Sequence, residues 1–293
     1  MNILVFGAGG MLGNAVFRVL SEKPDWKVYG TLRSGSAKRF FPRDAVARLI
    51  AGVGVECHDA LVQTFNQVRP DLVINCVGLI KQLADAQDPL RAIPINSLLP
   101  HRLARLCELA SARLVHISTD CVFSGKTGNY RETDFPDAED LYGRSKFLGE
   151  VAYAHTVTLR TSLIGHALQG THGLVDWFLA QIESCRGYTR AVFSGLPTVE
   201  LARVIRDMVV SNDMLCGVYH VAAAPISKYE LLKRVAEVYG KRIEIIPDHR
   251  LVIDRSLNAD RFREATGYVA PGWSDLIPSM HAFKQENESH VQG

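Results

Sequence analysis

Asn2-Ile3-Leu4-Val5-Phe6 runs straight into Gly7-Ala8-Gly9-Gly10-Met11-Leu12-Gly13, and the reading of the fold turns on this junction. An apolar run ends in glycines at GxxGxxG spacing, and an amphipathic helix starts at about Met11. Strand, tight turn and helix N-terminus together make an anion cradle, in which backbone N–H groups and the helix dipole meet a pyrophosphate. Glycines also serve turns that bind nothing. Here they follow the first strand and open a βαβ unit, the context that reads as dinucleotide binding. Gly7, Gly10, Met11, Leu12 and Gly13 are therefore expected against a cofactor.

Outward from this junction, strand-like runs recur as WKVYGTL (26–32), VGVEC (53–57), DLVINCV (71–77) and RLVHIS (113–118). Helical stretches fall between them, near 44–50, around Gln67 and over 91–110. The rhythm predicts an α/β fold with a Rossmann-type doubly wound parallel sheet and ligand at the carboxyl ends of its strands. Continuous apolar strands suit a sheet covered by helices on both faces. After Leu159 the pattern loosens into turn-rich segments (GHALQGTHG, FSGLPT, AAAPIS, VAPGW). We expect a dinucleotide-binding domain over residues 1–165 and a smaller C-terminal substrate-binding lobe over 166–293, with 190–222 packing back on the first domain.

Composition excludes several classes. The 293 residues are 47% hydrophobic and 22% charged, as in an ordinary globular protein. A net charge of +2 from 33 basic and 31 acidic residues gives no long-range field for nucleic acid or a membrane surface. The longest apolar run, residues 72–80, is too short to cross a bilayer, and the N-terminus reads as a strand, which points to the cytoplasm. Cys57, Cys76, Cys107, Cys121, Cys185 and Cys216 are scattered without CxxC or Cys/His ligand spacing. Reduced thiols and no metal site are expected.

The end of the second strand, Gly30-Thr31-Leu32-Arg33-Ser34, lacks the acid that would bind the ribose hydroxyls of NAD. Arg33, with Lys38 and Arg39 nearby, suits the 2′-phosphate of NADP. NADPH is the expected cofactor and NADH the second choice. Thr31, Ala60 and Val77 join the cofactor set at the strand ends. Asp59 would accept from the adenine amino group, or only cap the following helix. Gly78 would lie against the nicotinamide without crowding it, while Lys81 would meet a substrate phosphate or hydroxyl, or stay a surface lysine.

Leu141-Tyr142-Gly143-Arg144-Ser145-Lys146 puts a tyrosine and a lysine four apart, on one helix face. An ammonium beside a phenol favours the phenolate and lowers a pKa that is normally about 10. Thr119 sits just past RLVHIS, at the carboxyl edge of a strand, where a hydroxyl would hold a substrate oxygen.

With these residues, GAGGMLG, the strand-end STD and YGRSK resemble the extended short-chain dehydrogenase/reductases that act on nucleotide sugars. STDCVFSGKTGNYRETDFPDAEDLYGRSKFLGE (118–150) is similar to the dTDP-4-dehydrorhamnose reductase branch, whose pattern is STDYVFDG, then Y-x-E and P, then YGxSKxxGE. The resemblance takes in nearly the whole chain, including Asn96 in IPINSLLP and Gly195-Leu196-Pro197-Thr198, and is strongest over 112–150. It implies NADPH-dependent reduction of a nucleotide-linked 4-keto-6-deoxyhexose, in nucleotide-sugar and surface-polysaccharide synthesis. Hydride would go to C4 and Tyr142 would protonate the alkoxide. Lys146 would bind the nicotinamide ribose and tune Tyr142, Thr119 would place the carbonyl oxygen, and Asn96 would join the cofactor set. Asp120, Cys121 and Trp177 are candidates at the sugar nucleotide, and the oligomeric state stays open, with a homodimer as one option.

Cys121 stands where the branch has tyrosine, and its neighbours Asp120 and Val122 do not activate a thiol. Dehydratases of the fold carry glutamate at that position, so dehydration is disfavoured. An epimerase with tightly bound NAD stays open, although the missing acid after the second strand counts against it. A non-catalytic subunit also stays open, because the regulatory β subunit of methionine adenosyltransferase resembles the same branch. Trp177 and Phe178 would stack on a nucleobase or face the core, with core the simpler reading. Arg160, Arg255 and Arg261 are candidates for the diphosphate.

Overall fold

Strands that are apolar along their whole length need cover on both faces, and seven of them line up in parallel here. They are β1 (Asn2–Phe6), β2 (Lys27–Leu32), β3 (Leu49–Ala51), β4 (Leu72–Asn75), β5 (Arg113–Thr119), β6 (Thr156–Thr161) and β7 (Gly217–His220). The structure, a computed structural model, describes residues 1–79, 87–170 and 173–292. The strand order is β7-β6-β5-β4-β1-β2-β3, with every pairing parallel. Order reverses between β1 and β4, which opens a crevice at their carboxyl ends, as expected for a doubly wound sheet.

Alternate residues of β1 face opposite layers. Ile3 and Val5 point into the core beneath helices Met11–Ser21 and Thr198–Val204. Leu4 and Phe6 point into a second core with Leu61 and Leu103, from helices His58–Val68 and Leu99–Leu109. The first core continues into Phe178, Leu231 and Ile277, so the later helices are built on the same apolar mass. Beyond β6, small sheets join Ser184–Tyr188 to Glu244–Asp248, and Ala191–Phe193 to Ile226–Ser227 and Ile253–Asp254. Among the described residues no helix is long and apolar enough to cross a membrane.

Two local expectations fail. The third strand is Leu49–Ala51 rather than VGVEC, because these residues take up the register opposite Gly30-Thr31-Leu32. Gly52, at φ +81°, then turns the chain out of the sheet, and Val53 packs into the second core from a loop. In place of a helix near 44–50 there is a short 3₁₀ turn, Val46–Arg48, preceded by another at Gly35–Phe40.

The helix expected over 91–110 is present but interrupted. Pro89–Ala92 and Leu99–Leu109 are α-helical, and between them Ile93–Leu98 forms a π turn in which the Leu99 N–H donates to the Pro94 carbonyl. Pro94 and Pro100 lack the N–H groups that a regular ladder needs. The widened turn leaves Asn96 and Ser97 facing inward, both buried.

Candidate active site

The glycine turn is held from beneath. Gly7, at φ +84°, donates its N–H to Thr31 Oγ1 at 3.1 Å, and the Ala8 N–H meets the Thr31 carbonyl at 3.0 Å. Thr31 is therefore a buried brace under the loop. A Cβ on Gly13 would overlap the Gly7 carbonyl, so only glycine lets the helix start this close to the strand. Helix Met11–Ser21 begins at Gly10 with no side-chain cap and no acid in its first turn, and Gly9 and Gly10 are exposed. Its free N–H groups and positive dipole end fit a pyrophosphate. Leu12 is buried behind the loop and Met11 half-buried beside it. Val77 closes the neighbouring wall, its Cγ2 within 3.0 Å of where a Gly7 Cβ would stand.

Past β2, Arg33 is exposed and makes no hydrogen bond or ion pair with a described residue. The following turn is fixed by Arg18, whose Nη2 donates to the Phe40 carbonyl at 2.6 Å. Lys38 is half-buried and Arg39 lies over the Phe40 ring. Asp59 is exposed in the first turn of His58–Val68; the N-cap is Cys57, so Asp59 is not the cap. Ala60 beside it is half-buried. Lys81 lies outside the described residues.

β5 delivers Thr119 to the carboxyl edge, where its Oγ1 accepts from the Cys121 N–H at 3.1 Å and approaches Asp120 Oδ1 at 3.2 Å. Helix Leu141–Leu148, capped by Asp140 through the Gly143 N–H, brings Tyr142 and Lys146 to the same place. The Tyr142 phenol lies close enough to the Thr119 hydroxyl for the two to influence each other. Lys146 is buried, with Nζ donating to the Ile117 carbonyl at 2.8 Å, and it lies 3.7 Å from where a Gly78 Cβ would stand.

Burial pushes the Tyr142 phenol above its ordinary pKa, with nearby Cys121 adding to the rise and the Thr119 hydroxyl opposing it. The expected lowering by Lys146 is absent, because the ammonium is turned to a backbone carbonyl. Burial brings Lys146 down to about 8, opposed by Glu150 and Cys76. Asp120 is raised by burial, against the pull of Arg255. Cys121 is pushed up to about 12 by burial and by Asp120, which leaves a neutral thiol with little nucleophilic character.

Several residues of the quoted motifs serve as supports. Asn96 does not face an open crevice: it accepts from the Leu79 N–H at 2.9 Å and donates to Ser145 Oγ at 3.1 Å, tying the exit of β4 to the Tyr142 helix. A Cβ on Gly149 would collide with the Asn96 carbonyl, and one on Gly143 with that of Cys121. Glu150 grips Arg160 through both oxygens. Arg160 is thus buried and committed, a correction to its reading as a diphosphate ligand. Arg255 donates to the Phe123 carbonyl near Asp120, while Arg261 lies over Tyr219 on β7. In helix Leu174–Ala180, Phe178 is core and Trp177 is 39% exposed, so the two neighbours divide the two readings between them.

A doubly wound sheet with an open glycine cradle after β1, and a hydroxyl, phenol and ammonium converging at the end of β5, defines a Rossmann-type oxidoreductase of the extended short-chain dehydrogenase/reductase kind. More narrowly, the chain belongs to the RmlD substrate binding domain family, whose sequence model matches residues 1–252. It is 28% identical to a probable low-salt glycan biosynthesis reductase, Agl14, of Haloferax volcanii, over 82% of this chain and 81% of that protein. It is 32% identical to methionine adenosyltransferase 2 subunit beta of Xenopus tropicalis, over 52% of this chain and 42% of that one. A dTDP-4-dehydrorhamnose reductase from Bacillus anthracis, solved with NADP, shares the fold at a TM-score of 0.79 and 20% identity, covering 96% of this chain and 97% of the other.

Proposed function

We propose that this protein is an NADPH-dependent reductase of a nucleotide-linked 4-keto-6-deoxyhexose, in nucleotide-sugar and surface-polysaccharide synthesis. The observation that carries this reading is the convergence of Thr119, Tyr142 and Lys146 beside the glycine cradle, with a neutral thiol at position 121 where a second acid or base would stand. NADPH, when bound, supplies the hydride for C4. Gly7 and the helix start at Gly10, Met11, Leu12 and Gly13 hold the pyrophosphate, and Arg33 meets the 2′-phosphate. Val77, Gly78 and Lys146 flank the nicotinamide end, with Asn96 fixing their spacing.

Thr119 Oγ1 holds the carbonyl oxygen, and Tyr142 gives its proton to the alkoxide as charge develops. Burial keeps that phenol protonated through neutral pH, the state an acid in reduction needs. Lys146 is charged below about pH 8 and binds the nicotinamide ribose. Asp120, Cys121 and Trp177 border the sugar nucleotide.

The test is NADPH oxidation by the purified protein with dTDP-, UDP- and GDP-linked 4-keto-6-deoxyhexoses; no oxidation with any of them would sink the assignment. Arg33→Ala is expected to reduce the preference for NADPH over NADH, measured as the ratio of kcat/KM values, by about tenfold or more, since a charged hydrogen bond contributes about 1.5–3 kcal/mol. Equal use of the two cofactors by the parent protein would remove the role of Arg33. The 32% identity to the methionine adenosyltransferase subunit favours a second reading, a non-catalytic regulatory chain. Co-purification with a synthetase and no turnover on any ketosugar would select it.

A further inference from the structure

Behind the site lies a chain of buried charge that the proposed reaction does not use. Glu150 follows Gly149, the C-cap of the Tyr142 helix, and its side chain is 5% exposed. Its Oε1 accepts from Ser118 Oγ at 2.6 Å and Arg160 Nε at 2.7 Å, and its Oε2 from Arg160 Nη2 at 2.7 Å. Ser118 and Arg160 are register neighbours on β5 and β6, so the sheet itself sets the position of the carboxylate. Arg160 Nη1 lies 3.3 Å from His220 Nε2, whose other nitrogen meets the Tyr130 carbonyl at 3.0 Å. His220 is neutral, held down to about 3 by burial and by Arg160.

Burying an ion pair costs desolvation that an apolar pair would avoid, so its placement calls for a reason. Lys146 stands four residues before Glu150 and is buried where its neutral form is favoured. Its Nζ is anchored on the carbonyl of Ile117 and the Glu150 carboxylate on the hydroxyl of Ser118, consecutive residues of β5, and the other ionisable groups that act on it are Cys76 from the exit of β4 and His116 from β5. Cys76 is a neutral thiol, pushed up to about 12, and His116 is kept neutral by burial. Tyr142, one turn earlier, is a neutral phenol. Glu150 is the one anion among these groups. A direct bridge to it would draw Nζ away from the site; with both oxygens taken by Arg160, the carboxylate acts on Lys146 through space while Nζ keeps its bond to Ile117.

We propose that Glu150 is a positioning residue for Lys146: a carboxylate pinned by Ser118 and Arg160 that keeps the buried ammonium charged without bonding to it. This rests on reading Lys146 as part of the catalytic set. The test is the pH titration of the Lys146 Nζ signal by NMR in protein labelled with ¹⁵N-lysine, without cofactor or substrate, the signal being assigned by its loss in Lys146→Arg. In Glu150→Gln the midpoint is expected to fall by about one pH unit, the scale on which a nearby charge acts. Glu150→Asp keeps the charge and should hold the midpoint near the parent value. Arg160→Met should raise it, because the carboxylate then has Lys146 as its nearest cation.

An unmoved midpoint in folded Glu150→Gln overturns the proposal. If that variant does not fold, Arg160→Met decides, and an unchanged or lowered midpoint there overturns it equally. A protein that reduces no ketosugar yet shows these shifts loses the proposed reaction and keeps this inference. One that reduces them with the midpoint unmoved loses only the inference.

Discussion

Tyr142→Phe is expected to lower kcat for ketosugar reduction by about 10²–10⁴-fold, the contribution of a positioned general acid, while NADPH affinity stays at the parent value. The phenyl ring keeps the packing of the phenol and removes only the hydroxyl that faces Thr119. Helix Leu141–Leu148 has its own cap at Asp140, and Lys146 its own bond to Ile117, so neither depends on that hydroxyl. Hydride transfer in a single turnover, followed beside a fluorescence titration of the cofactor, separates the two effects. A single-turnover rate close to that of the parent would mean that another group, or water, delivers the proton.

Gly143→Ala is expected to cost about 10²-fold in kcat, through position rather than chemistry, since a misplacement of about 1 Å is enough for a loss of that size. An added Cβ would meet the Cys121 carbonyl oxygen and stand 2.5 Å from the Ala138 Cβ. Cys121 lies two residues past Thr119, in the turn that Thr119 caps. The helix can relieve the overlap only by backing away from that turn, which separates Tyr142 from Thr119. Overpacking of this kind also destabilises by about 1–3 kcal/mol, so a lower melting temperature should accompany the loss. NADPH binding should suffer less, because the glycine cradle is built on β1. A variant with parental kcat would show that the close approach of helix and turn is dispensable.

Much of this was legible in the chain. Gly7 to Gly13 announce the cradle because a strand, a turn needing φ > 0 and a helix start each leave a local signature. Thr119, Tyr142 and Lys146 could be placed because a strand end and a helical repeat are both short-range patterns. β3 was misplaced because Leu49–Ala51 is too short to show a pattern, and pairing with β2 rather than composition selects it over the valines at 53 and 55. The commitment of Arg160 to Glu150 was invisible, since it depends on the register of β5 against β6 and on a side chain beyond the helix end. The raised phenol of Tyr142 was missed for a related reason: helical spacing gives the face on which Lys146 lies but not the carbonyl that captures its ammonium.

The π turn at Ile93–Leu98 bears on which length changes this segment tolerates. Deleting one residue there would return the turn to α-helical spacing, although Pro94 and Pro100 would still lack their ladder N–H groups. It would also rotate everything on one side of the deletion by about 100° relative to the other. Asn96 would lose Leu79 and Ser145 together, and Gly149 would face a different carbonyl. Point substitutions on the outer surface of this helix are cheap by comparison, whereas an in-frame loss of a single codon between 93 and 98 would detach the exit of β4 from the Tyr142 helix while leaving every residue of the glycine cradle in place.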